Sequence, residues 1–184
     1  GVNAEILIDH AWGWEPCTIA DIKAYKPESS SIVSGQVLQC PYSFEKARLV
    51  VREMADMLAL DLVDKGLATN QLVLTVGYDR ESLKDPAVRK LLDGSVTKDR
   101  YGREIPAHAH GTVNLGSATS SGRQIGEAVM RLYGEIVNPA LLIRRLNLTA
   151  CHVVPEEESK QEEGFRQLEL FSDWGKEEAQ GDKR

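Results

Sequence analysis

Four histidines and three cysteines are the side chains of this 184-residue chain best suited to holding a metal. His108 and His110 stand two apart, on one face of any strand that carries them, but His152, Cys40 and Cys151 lie far off in sequence. No helix-borne ligand pair or close thiolate couple accompanies them, so zinc-site spacing is missing. Cys17, Cys40 and Cys151 are odd in number and widely spaced, which fits no disulfide framework. Nucleophilic chemistry fares no better: Ser117 to Gly122 is a serine-rich connection with no His–Asp pairing in evidence. Neither a Gly-x-x-x-x-Gly-Lys nor a Gly-x-Gly-x-x-Gly phosphate loop occurs. We therefore expect no catalytic residue, no metal and no cofactor in these residues.

What does recur is hydrogen-bond donation without negative charge. Four extended segments, 31–39, 70–78, 106–118 and 141–154, contain no Asp or Glu, whereas the helical stretch 43–65 carries five acids. Choosing strand parity by what can pack under helices predicts Val33/Val37, Leu72/Leu74/Val76, Val113/Leu115 and Leu146/Leu148 as the buried set. The opposite parity then offers Ser34, Gln36, Thr75, Thr112, Asn114, Arg145, Asn147 and Thr149 to solvent. Hydroxyls, amides and an arginine, with no carboxylate among them, suit a phosphate backbone, since each can donate without repelling the anion. The competing explanation is that Thr and Ser simply favour strands.

The elements that must position these groups follow from periodicity. Residues 2–12 have helical spacing in Ile6, Leu7, His10 and Ala11, and 13–31, with Pro16, Pro27 and a serine cluster, read as an irregular tether. Segment 31–39 alternates as a strand and Pro41 closes it. Ser43 is placed to cap a long amphipathic helix whose stripe is Phe44, Ala47, Val51, Met54, Leu58 and Leu62, ending at Gly66. A strand at 70–78 is followed by a charged, turn-rich connection at 79–105, in which Pro86 to Leu92 suits a helical turn. A third strand spans 106–118. Ser120 or Ser121 caps a second helix carrying Ile125, Ala128, Val129, Leu132 and Ile136, which stops before Asn138-Pro139. A last strand covers roughly Leu141 to Val154. The order β-α-β-β-α-β predicts an α+β, ferredoxin-like split fold: a four-stranded antiparallel sheet with both helices on one face and the other face open.

Charge is distributed unevenly about a net −6. Residues 155–184 hold 5 Lys/Arg and 10 Asp/Glu, and 1–22 hold 4 acids and no Lys/Arg, leaving 17 basic and 14 acidic residues in 23–154. The overall acidity thus does not exclude a nucleic-acid partner. At 42% hydrophobic and 27% charged residues the composition is that of a globular chain. Without an apolar run of about 20 residues or an opening signal peptide, we expect a cytoplasmic, non-membrane protein, a monomer. The chain opens on Gly1 with an apolar stretch close behind, so we expect further sequence upstream. Residues 155–164 are acidic and almost devoid of apolar groups, as in a flexible leash. After them come Gln167, Leu168, Glu169, Leu170 and Phe171, apolar anchors that anticipate a partner.

Two stretches resemble a known family: the tether and first strand, Ile19-Ala-Asp-Ile-Lys-Ala-Tyr-Lys-Pro-Glu-Ser-Ser-Ser-Ile-Val-Ser-Gly-Gln, and the β-α-β-β-α-β unit after it. Together they look like the thumb-to-little-finger passage of bacterial Y-family translesion DNA polymerases, in the mutagenesis and ultraviolet-repair branch. Residues 1–14 resemble the final thumb helix, 15–30 the tether, 31–154 the little finger and 155–184 a tail with a clamp-binding motif. The resemblance implies that the little finger grips duplex primer-template DNA through Lys26, Ser30, Ser34, Gly35, Gln36, Thr112, Asn114 and Arg145, all backbone contacts. Gln167, Leu168, Leu170 and Phe171 resemble the bacterial sliding-clamp-binding motif. The parent protein then resembles a DNA-directed DNA polymerase of the SOS response, whose magnesium-binding palm carboxylates lie upstream. The first strand departs from the family in carrying Gly35 and Gln36 where more basic residues are usual. The 79–105 connection is longer than the compact family version, and its Lys98, Arg100 and Arg103 either reach DNA or sit on a solvated loop. The rival reading is a ferredoxin-like protein-interaction or RNA-binding module, but the two central-strand aromatics that stack single strands are missing.

Overall fold

The computed structural model describes residues 2–25, 30–92 and 95–157. Lys26 and the whole 167–171 pentad lie outside the described residues. The chain divides into two compact units, Gly1–Ser30 and Ser31–Arg184. In the first unit, α1 (Val2–Ala11) is followed by a short α2 (Ile19–Ala24) inside the stretch expected to be irregular. The reason is a capping box: Asp21 N donates to Thr18 Oγ1 (3.2 Å), and Thr18 N donates to Asp21 Oδ2 (2.9 Å). The Thr18-x-x-Asp21 spacing was present in the sequence and outweighs the flanking prolines.

In the second unit β1 (Ile32–Tyr42), α3 (Phe44–Asp64), β2 (Leu67–Tyr78), β5 (Ala109–Thr119), α5 (Gly122–Ile136) and β6 (Ile143–Cys151) realise the expected β-α-β-β-α-β order. All the strand pairs are antiparallel, and the sheet runs β1-β6-β2-β5. Each helical crossover therefore skips one strand: β1-α3-β2 spans β6, and β5-α5-β6 spans β2. A short β7 (Val154–Pro155) pairs with the start of β2. Between β2 and β5 the connection holds a 3-10 turn (Arg80–Lys84), α4 (Pro86–Leu91) and a small hairpin, β3 (Val96–Lys98) with β4 (Glu104–Pro106). No described helix is long and apolar enough to cross a membrane.

The helices form where the apolar stripes require. The buried face of α3 is Ala47, Val51, Met54, Ala55, Leu58, Ala59 and Leu62, and that of α5 is Ile125, Ala128, Val129, Leu132 and Tyr133. Ser43 and Ser121 take the N-cap positions in extended conformation, though neither side chain makes the capping bond. Past the end of α3, Gly66 has φ +64, the left-handed conformation that closes a helix without a Cβ penalty. Both helices lie on the Leu72/Leu74/Val76 and Leu146/Leu148 side of the sheet, and these five strand residues are fully buried. Gly111 lets α5 approach β5: a Cβ there would stand 2.8 Å from Ile136 Cγ2 and 2.9 Å from Leu132 Cδ1.

One strand has the opposite parity to that expected. In β1 the pairs Ile32↔Ala150, Ser34↔Leu148 and Gln36↔Leu146 put the even-numbered residues on the helix side. Val33 and Val37, expected in the core, are each 62% exposed and belong to the open face, while Leu38 is buried. The local pattern offered two equally apolar parities, Val33/Val37 or Ile32/Leu38, and the register with β6 decides between them. As an edge strand under incomplete helix cover, β1 tolerates Ser34 and Gln36 on its inner side. The strand also runs on past Pro41 to Tyr42, through an irregularity between Val37 and Tyr42.

Candidate functional site

Cross-strand register assembles the open face as rows. Gly35, Asn147, Thr75 and His110 form one, and Val33, Thr149, Val73 and Thr112 the next. Cys151, Gln71 and Asn114 make a row at one end, and Val37, Arg145 and Gly77 a row at the other. No carboxylate occurs in any of the four. On this face Val33, Val37, Thr112, Asn114, His110 and Arg145 are all exposed.

Of the residues singled out from sequence, Gly35, Thr112, Asn114 and Arg145 share this face. Ser34 and Gln36 do not, because the parity of β1 turns their side chains to the helix side. Ser30 is an exposed residue at the end of the first unit, and Lys26 is outside the described residues. Sequence reasoning left out Gln71, Val73, Gly77 and His110, which only the register reveals as neighbours of the others.

The face is shaped by its small residues. A Cβ on Gly35 would come within 2.7 Å of Asn147 Oδ1, and one on Gly77 within 3.2 Å of Arg145 Cβ. The two glycines thus flank Asn147 and Arg145 with bare backbone, leaving those side chains raised above a shallow floor. Gln71 Nε2 donates to Asn114 Oδ1 (2.9 Å), and Thr75 Oγ1 lies 2.9 Å from His110 Nδ1. Among the described residues Arg145 has no hydrogen bond or ion pair from its guanidinium, so its five donors are available to an external anion.

At the Arg145 end the face runs into a cavity of about 910 Å³, whose far wall is the β3–β4 hairpin. Within the hairpin Asp99 accepts from Tyr101 N (2.8 Å), Arg103 N (3.0 Å) and Arg103 Nε (2.7 Å). The Arg103 guanidinium bond holds the Asp99 carboxyl below its ordinary value of 3.8. His108 lines the same cavity, and His152 lies 3.2 Å from Asn70 Oδ1. Among the described residues no three His, Cys, Asp or Glu side chains are grouped to hold a metal.

Residues 29–170 match the model of the impB/mucB/samB family C-terminal domain. The chain belongs to this family. The match covers well over half of the 184 residues and takes in the whole sheet with both helices. This impB/mucB/samB domain is the C-terminal region of a Y-family polymerase, a protein of DNA damage tolerance, as the resemblance implied. No curated protein matches the chain.

Proposed function

We propose that the open face of the β1-β6-β2-β5 sheet grips the sugar-phosphate backbone of duplex DNA without reading its sequence. The observation that carries this reading is the carboxylate-free face itself, with Arg145, whose guanidinium has no partner among the described residues, between Val37 and Gly77. An anion approaching it meets hydroxyls, amides and a guanidinium, and each phosphate so bound releases counterions from the duplex. Membership of a Y-family polymerase supplies the context, primer-template DNA. The contacts position the polymerase and specify no base, as a polymerase that must work at any sequence requires. Thr112, Asn114, Asn147 and Thr149 donate alongside Arg145. Gly35 contributes through main-chain approach, and Lys26 and Ser30 are phosphate contacts in their own right, while Ser34 and Gln36, on the helix side of β1, stand outside the face.

The tail carries the second part of the proposal. Gln167, Leu168, Leu170 and Phe171 dock on the bacterial sliding clamp, and the acidic stretch that follows β7, up to residue 164, serves as leash, raising the local concentration of the domain at primer ends. What supports this is the spacing of the anchors in an otherwise polar segment.

Arg145→Ala tests the grip. In fluorescence anisotropy over a salt series it should weaken duplex binding to the same degree on unrelated sequences and reduce the slope of log K against log salt by about 1. A sequence-dependent loss, or no loss, would contradict the reading. Phe171→Ala should leave duplex binding intact and abolish binding to purified clamp in the same assay format. Equal effects of both substitutions on both ligands would refute the division of labour.

A further inference from the structure

The β2–β5 connection is not absorbed by the sheet grip, and its hairpin forms one wall of the half-open cavity at the Arg145 end of the face. We propose that this cavity binds a single-stranded nucleotide segment, the extension that continues from a duplex seated on the sheet. The inference rests on the sheet-face reading above, because the sheet delivers the strand to the cavity.

The first observation is continuity. Thr75, Gly77, Arg145 and Asn147 belong both to the open face and to the wall of the cavity. A backbone tracking along the face therefore enters the cavity without leaving donor groups. The second is size. About 910 Å³ of half-open space is the scale of a small-ligand site, which suits a nucleotide or two.

The third is chemistry. Tyr101 is 68% exposed at the hairpin tip, and the guanidiniums of Arg100 and Arg103 stand 5.0 and 4.9 Å from its ring centroid. Phenol rings and guanidinium planes are the surfaces on which unpaired bases stack, and stacking tolerates any base. The four rows of the open face contain no Phe, Tyr or Trp, so the cavity adds a large ring that those rows lack. The cavity wall carries five arginines, Arg80, Arg100, Arg103, Arg144 and Arg145, against three acids. Each acid is already engaged. Asp99 is tied to Arg103 (2.7 Å), Glu81 to Lys84 (3.0 Å), and Asp79 accepts from Glu81 N (2.8 Å) with Arg144 at 3.9 Å. Arg80, Arg100 and Arg145 have no ion pair among the described residues and are left for phosphate.

The platform is held in place before any ligand arrives. Ala107 N donates to Ser95 O (2.7 Å) at the hairpin base, Arg89 Nη2 pairs with Glu104 Oε2 (2.7 Å), and Asp99 gathers the tip through three donors. A fixed tip loses little conformational entropy when a base stacks on it.

The test compares three fluorescent probes on the full 184-residue chain: a blunt duplex, the same duplex with a single-stranded extension of about six nucleotides, and the extension strand alone, the length being chosen to exceed the cavity. The extended duplex should bind tighter than the blunt one by about five- to 150-fold, the range of stacking one base. Tyr101→Ala and Arg100→Ala should erase that difference while blunt-duplex affinity and the melting temperature stay unchanged. Tyr101→Trp should retain the difference, which separates stacking from mere support of the hairpin. Equal affinity of wild type for blunt and extended duplexes overturns the cavity proposal and leaves the sheet grip standing. Tyr101-dependent binding of the single strand without blunt-duplex binding overturns the sheet reading and keeps the cavity. Absence of binding to all three probes overturns both.

Discussion

Tyr133 shows how a single side chain ties the fold together. It is fully buried on α5, its ring centroid lies 4.9 Å from that of Phe44, and its hydroxyl donates to Phe44 O (2.8 Å) at the start of α3. Burial, the largest influence, pushes its phenol above the ordinary value of 10.0. The folded state thus keeps a proton that the unfolded chain gives up above pH 10, so stability falls as pH rises through that value. Tyr133→Phe should cost about 1 kcal/mol in urea denaturation at neutral pH, from the lost bond to a part-buried carbonyl. The variant should also lose less stability than wild type between neutral and strongly alkaline pH. An unchanged alkaline loss would assign that slope to other groups. Nothing in the periodicity of α5 distinguishes Tyr133 from the rest of its apolar stripe. The partner is 89 residues away, and only packing reveals it.

At the scale of elements the decisive case is β1. Its register against β6 places Val33 on the open face beside Thr149. Val33→Lys should therefore leave the unfolding midpoint close to wild type, as for an exposed substitution, within about 0.5 kcal/mol. On the DNA-facing reading it should also tighten duplex binding and steepen its salt dependence by about 1 in slope. Had Val33 been a core residue, a buried unpaired ammonium would unfold the domain, so the denaturation midpoint alone decides the parity. The long helices α3 and α5, and the strands β2, β5 and β6, were legible because each has one unambiguous apolar periodicity. β1 was not, since two parities tied locally. α2 is legible in principle through Thr18 and Asp21, although Pro16 and Pro27 around it signal irregular chain.

For the whole molecule, charge segregation matters more than the net −6. The segment 158–184 carries a net negative charge, and its removal should raise duplex affinity at low salt while the effect fades as salt screens it, measured by the same anisotropy series. On the proposed division of labour the same truncation should abolish clamp binding. The sequence by itself determined the α+β class, the order of the six main elements, the absence of carboxylates from the four long strands, and the family resemblance. Those properties are local: apolar period, turn chemistry and residue type each act within a few positions along the chain. Tertiary structure alone decided which residues become neighbours across strands. It put His110 beside Thr75, set Gly35 and Gly77 either side of Asn147 and Arg145, turned Ser34 and Gln36 inward, and brought the Asp99–Arg103 hairpin to the end of the sheet. A one-residue change of register reverses every side chain of a strand at little local cost, so these relations are fixed only when the sheet and helices pack as one body.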